Sequence, residues 1–315
     1  MSFGGIYGPT DEAESFACMQ AALDHGVTHW DVAEIYGAGI CETVIGRFLA
    51  QSGAQSGGQS GAQVTLATKA GIYTKPERHF SNEAGALRRS LEGSLTRLGR
   101  DRVEVFYIHR REVERPIEEV AETLAGFVEE GLIGGIGFSE ISPASLRRAN
   151  AVYPVTAVQS EYSLWSRQPE LGMIQTCAEL GVTFVAFSPL ARGMLSDHFQ
   201  GRESFPKGDF RIGTPRFSDP NYQSNRDAIA GFVAFCAARG WSTSATALAW
   251  ILAQGDHIIP IPGTRTATHL RELAGATEIS LSAADKAEID RLLPVGFAHG
   301  ARYSATQWAA VEIYG

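Results

Sequence analysis

Val103-Glu-Val-Phe-Tyr-Ile-His109 is a short, β-branched, almost wholly apolar run that ends on a histidine and passes at once into Arg110. Its near-unbroken apolar character suits a parallel strand buried on both faces. Outward along the chain the pattern recurs at Val27-Thr-His-Trp-Asp31, Val64-Thr-Leu-Ala-Thr-Lys69, Gly134-Gly-Ile-Gly-Phe-Ser139, Val155-Thr-Ala-Val-Gln159, Val182-Thr-Phe-Val-Ala-Phe-Ser188 and Ile258-Ile-Pro-Ile261. Between these runs lie amphipathic windows that predict helices at about residues 10–25, 41–51, 82–98, 117–130, 142–151, 169–180, 226–239 and 243–254. Two more follow the last strand, at about 267–274 and 282–292. Ser142-Pro143 and Ser282-Ala-Ala-Asp285 have the form of N-caps, the second spaced as a capping box. Glu130-Gly131 and Leu180-Gly181 have the form of glycine stops.

Strand and helix in alternation leave two architectures, an open doubly wound sheet or a closed barrel. The polar residues decide between them. Asp31, Lys69, His109, Ser139, Gln159 and Ser188 each stand at the C-terminal end of a different run. Only a closed barrel gathers that many strand ends around one mouth, where barrel enzymes keep their chemistry. The expected fold class is therefore α/β, a (β/α)8 TIM barrel, as one domain over residues 1–315. Seven runs are clear, and Met1-Ser-Phe-Gly-Gly5 could supply only the end of an eighth, so the first strand is expected to be short or truncated. Residues 51–63, a QSG-rich tract, read as a solvated loop. Residues 196–225, rich in Pro, Gly, Arg and Phe, read as a lid over the mouth.

Composition narrows the class of partner. The chain carries 27 Lys+Arg against 35 Asp+Glu, a formal charge of −8, which argues against a broad nucleic-acid or anionic-membrane footprint but leaves room for a local phosphate site. Cys18, Cys41, Cys177 and Cys236 are scattered without a C-x-x-C pair, and the histidines lack zinc-ligand spacing, so neither a disulfide framework nor a metal is expected. No run approaches the ~20 apolar residues of a membrane span, and Met1 to Gly8 lack the basic and apolar regions of a secretory signal. The expectation is a cytoplasmic protein acting on a small molecule.

At the strand ends, Asp31-Val-Ala-Glu-Ile-Tyr36-Gly37 sets an aspartate and a tyrosine five residues apart, Lys69 closes the next run and His109 the one after. Free tyrosine, with a pKa of about 10, is a weak acid for neutral-pH chemistry. A neighbouring ammonium would lower that value, and a carboxylate would keep the ammonium charged. A histidine could orient a carbonyl oxygen. Together the four form an acid relay suited to carbonyl reduction. Taken singly they have ordinary roles as caps, loop packing or a satisfied core histidine, and Lys69 alone could equally form a Schiff base.

Asp31-x-x-x-x-Tyr36-Gly37, Thr68-Lys69-x-Gly71 and Tyr107-x-His109-Arg110 resemble the tetrad motifs of the aldo-keto reductase superfamily. Further blocks resemble the family at Gly137-Phe-Ser-Glu140, Gln159-Ser-Glu-Tyr-Ser-Leu-Trp165, Phe187-Ser-Pro-Leu-Ala-Arg-Gly193 and Ile261-Pro-Gly-Thr-Arg265. The likeness runs from Met1 to Arg302-Tyr303-Ser304. It implies that Tyr36 is the general acid, Lys69 and Asp31 its tuners, and His109 the carbonyl orienter. It also implies NADPH, with NADH as the alternative. Ser139, Gln159 and Glu140 would then meet the nicotinamide carboxamide, Glu140 standing where many relatives have Asn and lacking that residue's donor. Phe187 would stack on the ring in place of a Tyr. Ser188, Leu190, Arg192 and Gly193 would line the pyrophosphate. Gly263, Thr264, Arg265, His269 and Glu272 would meet the adenosine end, with His269 where some relatives have Arg. Arg265 offers the counter-charge for a 2′-phosphate. Arg110 and Trp165 are substrate candidates, joined by Phe205, Phe210, Phe217 and Tyr222 of the lid, and arginines beside aromatics suit a polar, hydroxylated or anionic compound such as a sugar-type aldehyde. A barrel lyase using Lys69 as a Schiff base and a slow-turnover, cofactor-binding regulatory subunit are the alternative readings.

Overall fold

The computed structural model describes residues 3–5, 10–52 and 64–314. The strands are β1 (His29–Asp31), β2 (Thr65–Ala70), β3 (Ile72–Tyr73), β4 (His79–Phe80), β5 (Val105–Ile108), β6 (Ile136–Ser139), β7 (Val155–Glu161), β8 (Thr183–Phe187) and β9 (Ile258–Ile261). The helices are α1 (Glu12–Asp24), α2 (Ile40–Ser52), α3 (Ala84–Leu98), α4 (Ile117–Glu129), α5 (Pro143–Val152), α6 (Met173–Leu180), α7 (Asn221–Ala238), α8 (Thr243–Leu252), α9 (Ala267–Ala274) and α10 (Ala283–Leu292). Sequence caps act as expected. Ser142 accepts from Ser145 N, Ser282 and Asp285 form the capping box, and Gly181 stops α6 in the left-handed conformation.

Among the described residues β1, β2, β5, β6, β7, β8 and β9 lie side by side in that order, and every neighbouring pair is parallel. The order never reverses, whereas a doubly wound sheet must turn back at a switch point. The helices close the ring, since α1, which precedes the first of these strands, packs on α9, which follows the last. The architecture is a (β/α) barrel, with seven parallel strands in the described part. Residues 3–5 form a turn, with Phe3 buried and Gly4 pressed against the loop after β1. A Cβ on Gly4 would stand 2.6 Å from Gly37 N, so the two backbones meet only because both residues are glycine.

Inside the barrel Ala67 of β2, Val105 and Tyr107 of β5, Ala157 of β7 and Val185 of β8 pack into one buried apolar cluster. Tyr107 takes the centre because β6 gives way, and a Cβ on Gly137 would lie 2.4 Å from its ring.

Two expectations need correction. The proposed loop 196–225 ends at Pro220, because α7 starts at Asn221, five residues before the expected 226. The remainder is built from short 3-10 turns at Arg202–Ser204, Phe210–Gly213 and Pro215–Phe217. Its Phe199, Phe205, Phe217 and Tyr222 rings pack on one another at 5.7–6.4 Å, so most of these aromatics hold the segment together. The hairpin β3–β4 between Ile72 and Phe80 carried no clear alternation and was not expected. Of the QSG tract, Gln51 and Ser52 end α2, and residues 53–63 lie outside the described residues.

Candidate active site

The mouth is assembled from strand ends brought into register. Asp31 pairs across to Ala67, Lys69 to Tyr107 and Ser139 to Gln159, so the side chains of distant runs converge at the same level. Lys69 has no exposed surface. Its ammonium donates to Asp31 Oδ1 and, at 2.8 Å, to the Val32 carbonyl. Gln159 Nε2 donates to the other Asp31 oxygen at 2.9 Å. Tyr36 lies on the turn that follows β1, with the Lys69 ammonium 5.2 Å from its ring centroid and the His109 ring at 5.8 Å, edge to face. All four residues singled out in the sequence therefore meet.

Their electrostatics follow from dryness. Burial lifts the Tyr36 phenol well above its ordinary value, Asp31 adds to the rise, and Arg110 opposes both. Burial outweighs the lowering expected for the Tyr36 phenol. Lys69 is itself lowered by burial against the pull of Asp31. His109 is held well below its ordinary value by burial, then by Arg110, Lys69 and Arg78. The site thus holds a neutral phenol, a neutral imidazole and a locked ammonium. Among the described residues the Tyr36 hydroxyl has no hydrogen-bond partner, and neither does His109 Nδ1.

Around this centre the residues expected to meet a cofactor divide into two sets. Ser139 ends β6, its hydroxyl oxygen accepts from Arg110 Nη1 at 3.2 Å, and its own O–H stays available to donate. Gln159 keeps its amide oxygen unused by Asp31. Phe187, half-buried, ends β8. Just beyond it Ser188, Ala191, Arg192 and Gly193 all have positive φ, and the Ala191 and Gly193 N–H groups close the turn on the Ser188 and Leu190 carbonyls. Gly263 and Thr264 lie at the approach to α9, whose first turn is capped by Thr266. The second set is already engaged. Glu140 binds Arg302 through both oxygens, at 3.0 and 2.5 Å, and also accepts from Glu161 N at 2.8 Å, so it is held as a wall rather than left free for a carboxamide. The Arg192 guanidinium donates to Glu161 at 2.8 Å and to the Arg302 carbonyl at 3.0 Å. Glu272 binds His198 at 2.7 Å and also Ser242, and His269 lies tilted against the His198 ring at 4.5 Å. Thr264 and the Thr266 carbonyl are 3.3 Å apart, and Arg265 sits close enough for its charge to act on His269.

Of the substrate candidates, Trp165 is buried, stacks on Phe217 at 5.8 Å and lies under the Arg216 guanidinium. Its indole N–H has no partner among the described residues. Phe210 lies under the Arg192 guanidinium at 5.1 Å. Arg110 is buried beside His109.

Sequence reading missed the C-terminal segment's contribution. Arg302 and Tyr303 cross the mouth, Tyr303 accepting from Arg110 at 3.4 Å. Glu312 ties the end down through Arg111 at 2.7 Å and the Ser142 N–H at 2.8 Å, while its own N–H bonds the Glu140 carbonyl. Glu161 was likewise unassigned. The Arg302-Tyr303 pair was visible only as a terminal block of family likeness, with nothing local to give it a role. Among the described residues no three His, Cys, Asp or Glu side chains stand close enough to hold a metal, and no helix is long and apolar enough to cross a membrane.

Comparison with known proteins agrees with this geometry. The Aldo/keto reductase family model matches residues 1–294, and the chain belongs to that family. It is 38% identical over 309 residues to an NADP(+) aldo-keto reductase, yakc, of Schizosaccharomyces pombe, covering 96% of this chain and 89% of that one. A glycerol dehydrogenase from Gluconobacter oxydans superposes with a TM-score of 0.82 at 27% identity, covering 93% and 89% of the two chains. An aldo-keto reductase from Klebsiella pneumoniae, solved with NADPH, superposes at 0.70 with 25% identity over the same shares. The chain is an oxidoreductase of the aldo-keto reductase class.

Proposed function

We propose that this barrel, acting as one domain over residues 1–315, reduces an aldehyde or ketone with NADPH, Tyr36 serving as the general acid. The observation that carries the reading is the convergence of the neutral Tyr36 and His109 side chains, whose hydroxyl and Nδ1 have no hydrogen-bond partner among the described residues, on a buried Lys69–Asp31 pair. NADPH would be held by Ser139 and Gln159 at the carboxamide, Phe187 at the ring, the positive-φ turn at 188–193 at the pyrophosphate, and Arg265, at the approach to α9, at the 2′-phosphate. The relatives named for NADP(+) and solved with NADPH support that choice. When bound, the cofactor supplies the hydride.

The protein's part is the proton. The carbonyl oxygen is placed between the Tyr36 hydroxyl and the His109 imidazole, which being neutral can orient it without carrying charge of its own. As negative charge builds on that oxygen, the Tyr36 O–H gives up its proton. The phenolate left behind faces the Lys69 ammonium and the Arg110 guanidinium, which lower the cost of forming it in a dry site. Lys69 does not fit a Schiff-base role, because it is wholly buried and locked by Asp31 and Val32. The substrate reading favoured by the arginines and aromatics at the mouth is a polar carbonyl compound of the sugar-aldehyde type. The test is NADPH oxidation over a panel of aldehydes by wild type and Tyr36→Phe. Turnover should fall by about 10²–10⁴, the range of a positioned acid, while NADPH still binds. Undiminished turnover overturns the assignment, and a borohydride-trapped adduct on Lys69 would establish the lyase reading in its place.

A further inference from the structure

Arg110 differs from the other buried arginines among the described residues. Arg111 binds Glu312, and Arg302 binds Glu140. Arg110 is only 8% exposed, yet no carboxylate lies within 4.0 Å of it. Its three hydrogen bonds go to neutral oxygens: the His109 carbonyl at 2.7 Å, Ser139 Oγ at 3.2 Å and the Tyr303 hydroxyl at 3.4 Å. Among the described residues Nε–H and one N–H of Nη2 have no acceptor, and a guanidinium presents such an edge to carboxylates and phosphates. A buried cation with no counter-charge is costly to maintain unless something else supplies the anion.

The surroundings reinforce the imbalance. Arg78, on the turn of the β3–β4 hairpin, lies near enough for its charge to act on both Arg110 and His109, and it too has no carboxylate partner among the described residues. Its guanidinium lies over the Phe80 ring, 5.4 Å from the centroid. Of the buried carboxylates that act on Lys69, Asp31 is paired with Lys69 itself and Glu42 with Arg97. A chain of net charge −8 therefore keeps an excess of positive charge at the floor of its mouth. The cofactor's phosphates do not explain it, because the turn at 188–193 and the start of α9 lie beyond β8 and β9, while Arg110 and Arg78 flank β5 and β2.

We propose that Arg110, with Arg78 above it, anchors an anionic group of the substrate, so that the preferred carbonyl compounds carry a carboxylate or phosphate near the reacting carbon. This rests on the reductase reading above and narrows it. It also gives the β3–β4 hairpin a task, carrying a second cation to the rim.

The experiment compares kcat/KM at saturating NADPH within matched pairs, succinic semialdehyde against butyraldehyde and glyceraldehyde 3-phosphate against glyceraldehyde. Wild type should prefer the charged member of at least one pair by about tenfold to a hundredfold, the span of a hydrogen bond to a charged group. Which pair responds tells carboxylate from phosphate, and added salt should shrink the preference. Arg110→Met should cut the charged-to-neutral ratio at least tenfold. Arg78→Ala, a substitution on an exposed turn, should cut it a few-fold and so serves if Arg110→Met does not fold. Reduction of neutral members without preference for charged ones overturns this proposal alone. An equal loss of NADPH affinity in both variants, measured by fluorescence titration, would assign the arginines to the cofactor and also overturn it. No NADPH oxidation with any of the four compounds overturns the reductase reading, and this proposal with it.

Discussion

Two charged regions share the mouth of this barrel and are built on opposite plans. Around β6, β7 and the C-terminal segment, Glu140, Glu161, Arg192, Arg216 and Arg302 form a closely paired network, in which Arg302 Nε is the one buried side-chain atom without a partner among the described residues. Glu140 is held by Arg302 and a backbone N–H, and Glu161 by Arg192 at 2.8 Å and by Ser166 at 2.8 Å. Arg216 reaches the same Ser166 hydroxyl, and burial brings its guanidinium down to about 10. Around β1, β2 and β5 the plan is sparse: one ion pair, a neutral phenol, a neutral imidazole and an arginine with no carboxylate. A buried network in which the charges are paired with one another fixes structure. A sparse one leaves charge and polar atoms free to meet a ligand. The contrast separates wall from workplace more sharply than residue type does, since both regions are rich in charge.

Breaking the sparse side should have the largest consequence. Lys69→Met leaves Asp31 buried and without its cation, so activity should fall by about 10²–10⁴ and stability by about 3–5 kcal/mol. Aldehyde turnover and urea unfolding measure the two losses, and a stable, fully active variant would show that the pair is dispensable. Breaking the closely paired side should act on stability first. Arg302→Met exposes Glu140 to the same penalty of about 3–5 kcal/mol, with the C-terminal segment released from the mouth. Thermal melts and proteolysis near residue 300 would register it, and turnover per folded molecule should change far less than for Lys69→Met. If the two variants lose activity alike, the division between the regions is wrong.

The smallest effect is a pH dependence that sharpens the same contrast. His109 and His29 are both lowered, chiefly by burial. In the folded state each refuses a proton that the unfolded chain accepts, so the unfolded state binds more protons below its own value near 6.5. Stability should therefore fall as pH drops from about 6.5 toward 5, by up to about 1.4 kcal/mol per pH unit for each imidazole kept neutral. Urea unfolding across that window checks it, and His109→Phe should remove part of the slope. An unchanged slope would mean that His109 takes up its proton in the folded protein.

Much of this was legible in the chain itself. The strand at Val105–Ile108 and the helix at Ala267–Ala274 lie where apolar periodicity and caps put them, because those signals act over a few residues. Asp31, Lys69, His109 and Ser139 could be recognised as a set because each closes an apolar run, and a parallel barrel brings all such ends to one face. The β3–β4 hairpin was not legible, since two-residue strands carry no period. Nor was the early start of α7, where Asn221 follows a loop dense in proline and glycine.

What the sequence determined by itself is the order of elements, the barrel they imply and the residue types offered to its mouth. The tertiary structure alone decided which charges cancel. Arg302 meets Glu140 across 162 positions of chain, and Arg110 meets Tyr303 across 193, distances over which no local pattern can speak. The same holds for the state of Tyr36. Its neighbours in sequence suggest a softened acid, but burial decides the outcome, and burial is a property of the whole fold.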